Sequence, residues 1–117
     1  MFLKESEIEA WLKSRVEKMG GMFLKFTSPG NDGVPDRIII MPTGICVFLE
    51  LKTQRGKLSE IQKYQIRKLL DCCQQVAVVY GPDAAEDFLK DLQRHVVSSV
   101  AYYGKGERES DFLECVI

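Results

Sequence analysis

The chain has 117 residues, of which 45% are hydrophobic and 28% are charged, and its net charge is -1. This composition predicts one globular domain with a modest core, and the net charge argues against a protein that holds nucleic acid by overall charge alone. No apolar run approaches the length of a membrane span, and residues 1–4 are too short for a signal sequence, so we expect a cytoplasmic protein.

The pattern of residues in the first quarter of the chain predicts a helix followed by a strand. Residues 5–19 carry apolar side chains at helical spacing, and Gly20 and Gly21 end the helix. The apolar positions of this helix are Ile8, Trp11, Leu12 and Val16. Residues 22–27 have the composition of a strand, and residues 28–33 form a turn-rich loop.

Two further strands are predicted to form a hairpin. Residues 37–41 and 45–51 are rich in β-branched and aromatic side chains on both faces, which is typical of strands covered on both sides. Between them, Pro42 suits the first central position of a type I turn, and Gly44 suits the left-handed position that closes a three-residue loop. This hairpin would lie at the centre of a sheet.

The predicted register of the hairpin brings two acids together. Asp36 and Glu50 each lie seven residues from Thr43 in the turn, so their Cβ atoms would be about 4.5 to 5.5 Å apart. Two carboxylates repel at this distance unless a cation compensates them, and oxygen ligands favour Mg²⁺ or Mn²⁺. Lys52 follows on the same strand face, where its ammonium can approach a water or a phosphate. Glu-x-Lys alone is usually a solvated ion pair. The combination of Asp36, Glu50 and Lys52 at one end of the hairpin predicts a hydrolytic site.

The second half of the chain alternates helix and strand. Residues 59–62 have the spacing of a capping box, which predicts a helix to about residue 72, followed by a strand at 75–80 and a helix at 82–96. Residues 98–117 favour no single interpretation. Within them, residues 100–103 could form a short strand, 104–110 an exposed loop, and 112–117 a segment docked on the core or on a partner chain.

A cationic segment lies beside the proposed site. From Lys52 to Lys68 the chain has six basic residues and one acid. A phosphate-binding surface and a solvated helix face both explain this charge, and the loop residues Arg55 and Lys57 are the better candidates for phosphate contact.

Several short motifs resemble those of the virus-type replication-repair nuclease (VRR-NUC) family, a branch of the PD-(D/E)xK nucleases. They are Gly33-Val-Pro-Asp36-Arg37, Glu50-Leu-Lys52, Gly56-Lys-Leu-Ser59 and Gln62. The resemblance covers roughly residues 5–92 and is greatest to compact phage and prophage members. It implies an α/β fold with a restriction-endonuclease-like αβββαβα core, in which helices flank a mixed central sheet. It also implies metal-dependent cleavage of DNA, with branched DNA as a substrate and a homodimer as the assembly.

On this basis we expect residues 1–97 to form the nuclease core and residues 98–117 to extend the same domain, as a candidate dimer interface. Family members carry a glutamate on the first helix that completes the metal site. Glu9 is preferred to Glu5, because Glu9 lies beside the apolar stripe whereas Glu5 lies near the helix start, where it complements the dipole. Gln62 matches a glutamine that helps to hold the site, and it could also complete the capping box.

The resulting hypothesis is that oxygen ligands hold one or two Mg²⁺ or Mn²⁺ ions against a DNA phosphate while Lys52 orients the attacking water. The ligands are Glu9, Asp36, Glu50 and the carbonyl of Leu51. Lys25 resembles a recurrent lysine of the phage members, and we expect it and Arg37 to contact DNA, although an exposed strand lysine is an equal alternative for Lys25.

Two other functions are compatible with the sequence. Its small size and acidic pI would suit a DNA-binding or assembly module without useful turnover. A structural calcium site is less well supported, because Lys52 would lie too close to an ion that needs six to eight oxygens. His95, the only histidine, has no metal-type companion and is predicted to be a bystander on its helix face. The cysteines include no Cys-x-x-Cys pair and are predicted to be reduced and mostly buried; they are Cys46, Cys72, Cys73 and Cys115.

Overall fold

In the part of the chain that the structure describes, five strands form one sheet flanked by three helices. The computed structural model describes residues 4–95 and 100–104. Its elements are α1 (Glu5–Lys18), β1 (Met22–Lys25), β2 (Arg37–Ile40), β3 (Cys46–Lys52), α2 (Glu60–Asp71), β4 (Gln75–Tyr80), α3 (Gly81–Gln93) and β5 (Val100–Tyr103). Neighbouring strands in the sheet follow chain order, antiparallel from β1 to β3 and parallel from β3 to β5. The predicted αβββαβα order and the mixed sheet are confirmed, with β5 added at one edge.

The turn between β2 and β3 sets the register that the sequence predicts. Arg37 pairs with Leu49 across the hairpin. The Met41 N–H donates to the Ile45 carbonyl at 2.8 Å, and the Gly44 N–H donates to the Met41 carbonyl at 2.9 Å, so the loop is closed on both sides. Gly44 has a φ of 94°, which glycine adopts without steric cost.

Alternate residues of the central strands enter two apolar layers. On β4, Ala77 and Val79 pack in the layer that contains α1 and α3, whereas Val76 and Val78 pack in the layer that contains α2. Helix α1 contributes Ile8, Leu12 and Val16 to the first layer. Because both faces of β4 are covered, its sequence is apolar throughout rather than alternating. In the described part of the chain, no helix is both long enough and apolar enough to cross a membrane.

The β1–β2 end of the sheet is covered on one face only. Phe23 and Ile39 are buried in the layer that contains α1. On the other face Met22, Leu24 and Ile40 are 51%, 39% and 37% exposed, and Met22 lies directly opposite Ile40. We call these three side chains the hairpin face. They form an apolar surface on the edge strand β1 and its neighbour β2.

Some element ends differ from the prediction. β1 ends at Lys25 rather than at residue 27, although the Phe26 N–H still donates to the Asp36 carbonyl at 2.8 Å. α3 ends at Gln93 rather than at 96, so His95 is exposed in the turn after the helix, with a φ of 59°, and not on a helix face. A left-handed residue ends a helix because it turns the chain away from the helical path. The segments predicted for residues beyond 104 lie outside the described residues.

The prediction of mostly buried thiols is wrong for two cysteines. Cys72 and Cys73 are exposed, and Cys46 is half-buried. Cys72 is the C-cap of α2 and Cys73 has a φ of 61°, so the chain reverses there at the surface before it enters β4. Cys115 lies outside the described residues.

A glycine substitution tests the contact between the loop before β2 and helix α2. Gly33 has a φ of 88°, and a Cβ there would lie 2.8 Å from the Ile61 carbonyl oxygen; Gly30 has a φ of 82° with nothing within 4 Å. Alanine at either position incurs a left-handed cost of about 1–2 kcal/mol. Only Gly33→Ala adds a clash, so we expect it to lower the free energy of unfolding by roughly 1 kcal/mol more than Gly30→Ala. Urea denaturation measures both, and equal losses would contradict the contact.

Candidate active site

One cavity gathers the predicted acids. One step beyond the Arg37–Leu49 pair, the register places Asp36 opposite Glu50, and both line a cavity of about 330 Å³. Its other lining residues are Glu5, Ser6, Glu9, Arg37 and Leu51. Four carboxylates and one guanidinium therefore share a small volume at the end of the hairpin.

Glu50 is the buried charge of this site. The residue is only 7% exposed, and no other charged residue in the described part of the chain is buried. Burial raises the pKa of Glu50 to about 7; the positive charge of Lys52 opposes this rise, the negative charges of Asp36 and Glu5 add to it, and Arg37 lowers the pKa slightly. The carboxyl group is therefore held where loss of its proton is costly unless a cation lies nearby.

Gln62 connects the start of α2 to Glu50. Its Oε1 accepts from the Ser59 N–H at 2.9 Å, and its own N–H donates to Ser59 Oγ at 3.2 Å, which completes the predicted capping box. The same amide presents Nε2 to Glu50 Oε2 at 3.5 Å. The capping box is confirmed, and the same side chain approaches the buried acid.

Arg37 connects two acids of the cavity. Its Nη2 donates to Glu9 Oε1 at 2.5 Å, and its Nη1 donates to the Asp36 carbonyl at 2.8 Å. Nη1 also lies 3.4 Å from Asp36 Oδ2. The Arg37 side chain is only 11% exposed. This placement argues against the DNA contact predicted for Arg37, because its guanidinium is already engaged inside the site.

The other predicted cations have more open positions. Lys52 ends β3, is half-buried, and lies close enough to Glu50 to oppose the rise in its pKa. Lys25 is exposed at the end of the edge strand β1, and Arg55 and Lys57 are exposed in the segment between β3 and α2. These three exposed side chains can reach a ligand that approaches from solvent.

The donor atoms fit a hard divalent cation that keeps part of its water. Within residues 4–95 and 100–104, no group of three or more His, Cys, Asp and Glu side chains is arranged to hold a metal ion. Asp36, Glu50 and the Leu51 carbonyl supply only oxygen, and Mg²⁺ commonly takes one or two carboxylates and completes its shell with water and substrate phosphate. The site therefore suits Mg²⁺ or Mn²⁺ better than an ion that needs an all-protein cage.

The two candidate glutamates of α1 have different neighbours. Both line the cavity. Glu9 is paired with Arg37, whereas Glu5 is exposed and contributes to the raised pKa of Glu50. The link from Glu9 to Arg37 was not predicted from the sequence. The only sequence feature that points to this contact is the alternation of strand faces. If Asp36 faces Glu50, the next residue, Arg37, lies on the opposite face of the sheet, which α1 covers.

Comparisons with known proteins show the family to which this chain belongs. No family model matches the chain. "Putative nuclease p44" of Acyrthosiphon pisum secondary endosymbiont phage 1 is 38% identical over 81 residues, which is 69% of this chain and 87% of that protein. A solved structure described as a "VRR_NUC domain" superposes with a TM-score of 0.70 and 26% identity, covering 76% of this chain and 97% of the other. The chain belongs to the VRR-NUC family. The family predicted from the sequence is thereby confirmed, and so is the fold of this VRR-NUC protein.

The buried acid of the VRR-NUC site makes a prediction about pH. Because the pKa of Glu50 rises from 4.5 to about 7 on folding, its stabilising contribution is fully present below about pH 4.5 and is lost as the pH rises through about 7. Glu50→Gln cannot ionise, so its free energy of unfolding lacks this pH dependence. In metal-free protein we therefore expect the difference in free energy of unfolding, variant minus parent, to increase by at most about 3 kcal/mol from acid to alkaline pH.

Urea denaturation across that pH range, with chelator present, measures the effect. Glu60→Gln is the control, because the Glu60 side chain is 93% exposed. A difference between Glu50→Gln and parent that stays constant with pH would contradict the burial of an ionisable charge.

Proposed function

We propose that this VRR-NUC protein is a metal-dependent nuclease that hydrolyses DNA phosphodiester bonds in the cytoplasm of a bacterial or phage-infected cell. The observation that carries the proposal is the buried Glu50 opposite Asp36 in an acidic cavity, with Lys52 close by. Membership of the family and the name of the phage relative support the reaction class. The donor set supports Mg²⁺ or Mn²⁺ as the cofactor.

The proposed ligands are Asp36, Glu50, the Leu51 carbonyl and a glutamate of α1, with Glu9 as first choice and Glu5 as the alternative. A bound ion would polarise the phosphate and lower the pKa of a coordinated water. Lys52 orients the attacking water and offsets the charge that builds on the phosphate oxygens. Gln62 approaches Glu50 from the side of α2, with Nε2 3.5 Å from Glu50 Oε2, and would help to hold that carboxylate.

Exposed cations around the cavity supply the proposed DNA contacts. Lys25 is the last residue of β1 and pairs with Arg37, whereas Arg55 and Lys57 follow β3; all three are exposed. Neutralising DNA phosphates releases counterions, so such contacts weaken as salt rises. We propose branched DNA as the preferred class, because an assembly with two sites could act on two strands of a junction.

Cleavage assays with site variants test the nuclease proposal. Asp36→Ala and Lys52→Ala each remove a group proposed to act at the scissile phosphate, so we expect each to lower the rate of metal-dependent cleavage about 100-fold or more. Labelled branched, flapped and linear DNA, incubated with Mg²⁺, Mn²⁺ or chelator, gives the rates and the shape preference. Lys90→Ala, an exposed lysine on α3, is the control and should cut as the parent does. If both site variants cut as well as the parent, the assignment fails.

A DNA-binding or assembly module on the same fold is the second candidate. The observation that favours it is that no group of three or more His, Cys, Asp and Glu side chains in the described part of the chain is arranged to hold a metal ion. The opposed acids and the adjacent lysine make it the weaker candidate. DNA binding without metal-stimulated cutting in the same assays would favour it over hydrolysis.

We further propose that two copies associate through the hairpin face. Met22, Leu24 and Ile40 leave apolar surface exposed beside an edge strand, and such edges are usually covered or paired in native proteins. A second copy would bury the same surface on both chains, as a two-fold dimer requires.

A charge on the hairpin face should block this association. We expect the parent to sediment as a dimer and Leu24→Glu to sediment as a monomer, because burying the new carboxylate between chains is costly. Ile61→Glu is the control, since Ile61 is similarly exposed, at 46%, but lies on α2. Sedimentation velocity at several concentrations measures the assembly state, and a monomeric parent would remove the dimer proposal.

A further inference from the structure

Arg37 is the first residue of β2, and its side chain joins α1 to the residue that precedes β2 at the acidic cavity, through hydrogen bonds to Glu9 and to the Asp36 carbonyl. Its two terminal nitrogens have different partners. Nη2 binds the Glu9 carboxylate, and Nη1 binds the Asp36 carbonyl while lying 3.4 Å from the Asp36 carboxylate. The guanidinium is planar and rigid, so holding it at both ends also fixes where the two acids lie relative to each other.

The burial of Arg37 separates it from the cations proposed to bind DNA. Its side chain is 11% exposed, whereas those of Glu9 and Asp36 are 34% and 63% exposed. The arginine is therefore more buried than the two acids, both of which keep contact with solvent. A DNA phosphate could replace these contacts only by separating the guanidinium from Glu9.

We propose that Arg37 is a positioning residue of the metal site: it orients the carboxylates of Glu9 and Asp36 so that they are placed to bind a divalent cation. This inference rests on the proposed function. Glu9 Oε1 is held by Arg37, and a carboxylate has a second oxygen with which to bind a cation. Ligands held in place by a neighbouring hydrogen bond lose less freedom when the ion binds, and removing such support typically weakens metal binding about 10- to 100-fold.

Arg37 also carries a positive charge, which by itself opposes a cation. The two effects have opposite signs, so removing the whole side chain would mix them. Arg37→Lys separates them, because lysine keeps the charge but lacks the planar pair of donors. If orientation is the role of Arg37, Arg37→Lys weakens metal binding although the net charge is unchanged.

Binding of Mn²⁺ without DNA, measured by electron paramagnetic resonance, provides a readout that does not depend on cleavage. We expect Arg37→Lys to raise the dissociation constant for Mn²⁺ about 10-fold, with the KM for DNA unchanged within error. Arg55→Gln is the matched control and should do the reverse: unchanged Mn²⁺ binding and weaker DNA binding. Glu9→Gln keeps an acceptor for Arg37, and it provides a second test if Arg37→Lys fails to fold, as judged by circular dichroism.

In that second test, Glu9→Gln should weaken Mn²⁺ binding. Arg37→Gln removes the same positive charge in the parent and in Glu9→Gln, so the difference between its two effects reports the shared contact. We expect Arg37→Gln to weaken binding less in Glu9→Gln than in the parent. Arg37→Lys that binds Mn²⁺ as the parent does, or independent effects of the two substitutions, would overturn the inference. So would a raised KM for DNA with unchanged Mn²⁺ binding, which would make Arg37 a DNA contact. A parent that binds no Mn²⁺ overturns the proposed function as well, whereas a parent that binds Mn²⁺ and cuts DNA while Arg37→Lys is normal overturns only the role of Arg37.

Discussion

The burial of the Glu50 carboxyl group opposite Asp36 is the constraint on which this end of the sheet depends. The strand register places the two acids opposite each other, and the apolar packing of β3 holds that register, because a slip of one residue would exchange the faces of all its side chains. Glu50 cannot escape to solvent, so its pKa rises to about 7. The nearby cations Lys52 and Arg37 moderate this charge, and a divalent cation would do so more fully.

Helices on both faces of the sheet contact residues that line the cavity. From the α2 side, Gln62 caps its helix and approaches Glu50. From the α1 side, Glu9 reaches the strand end through Arg37. The site therefore depends on the packing of α1 and α2 on opposite faces of the sheet, and a substitution in either layer can change the geometry of acids that it never touches.

Most of the fold could be predicted from local patterns. The three-residue loop around Thr43 needed only Pro42 and Gly44, and the capping box needed only the spacing of Ser59 and Gln62, because turns and caps depend on neighbours in the chain. The same local logic placed Asp36 opposite Glu50. The prediction of buried thiols failed at Cys72 and Cys73, which are exposed. The burial of a turn depends on how the preceding helix packs against the sheet, and the sequence of the turn does not specify that packing.

The sequence by itself determined the order of the elements, the hairpin register and the face shared by Asp36, Glu50 and Lys52, since these follow from period-two alternation and a short turn. Only the tertiary structure decided that Arg37 lies inside the site and binds Glu9, which is 28 residues away in the chain. A contact between residues so far apart in the chain depends on the position and orientation with which helix α1 packs on the sheet. That placement is set by the summed packing of many apolar side chains, and no short motif encodes it.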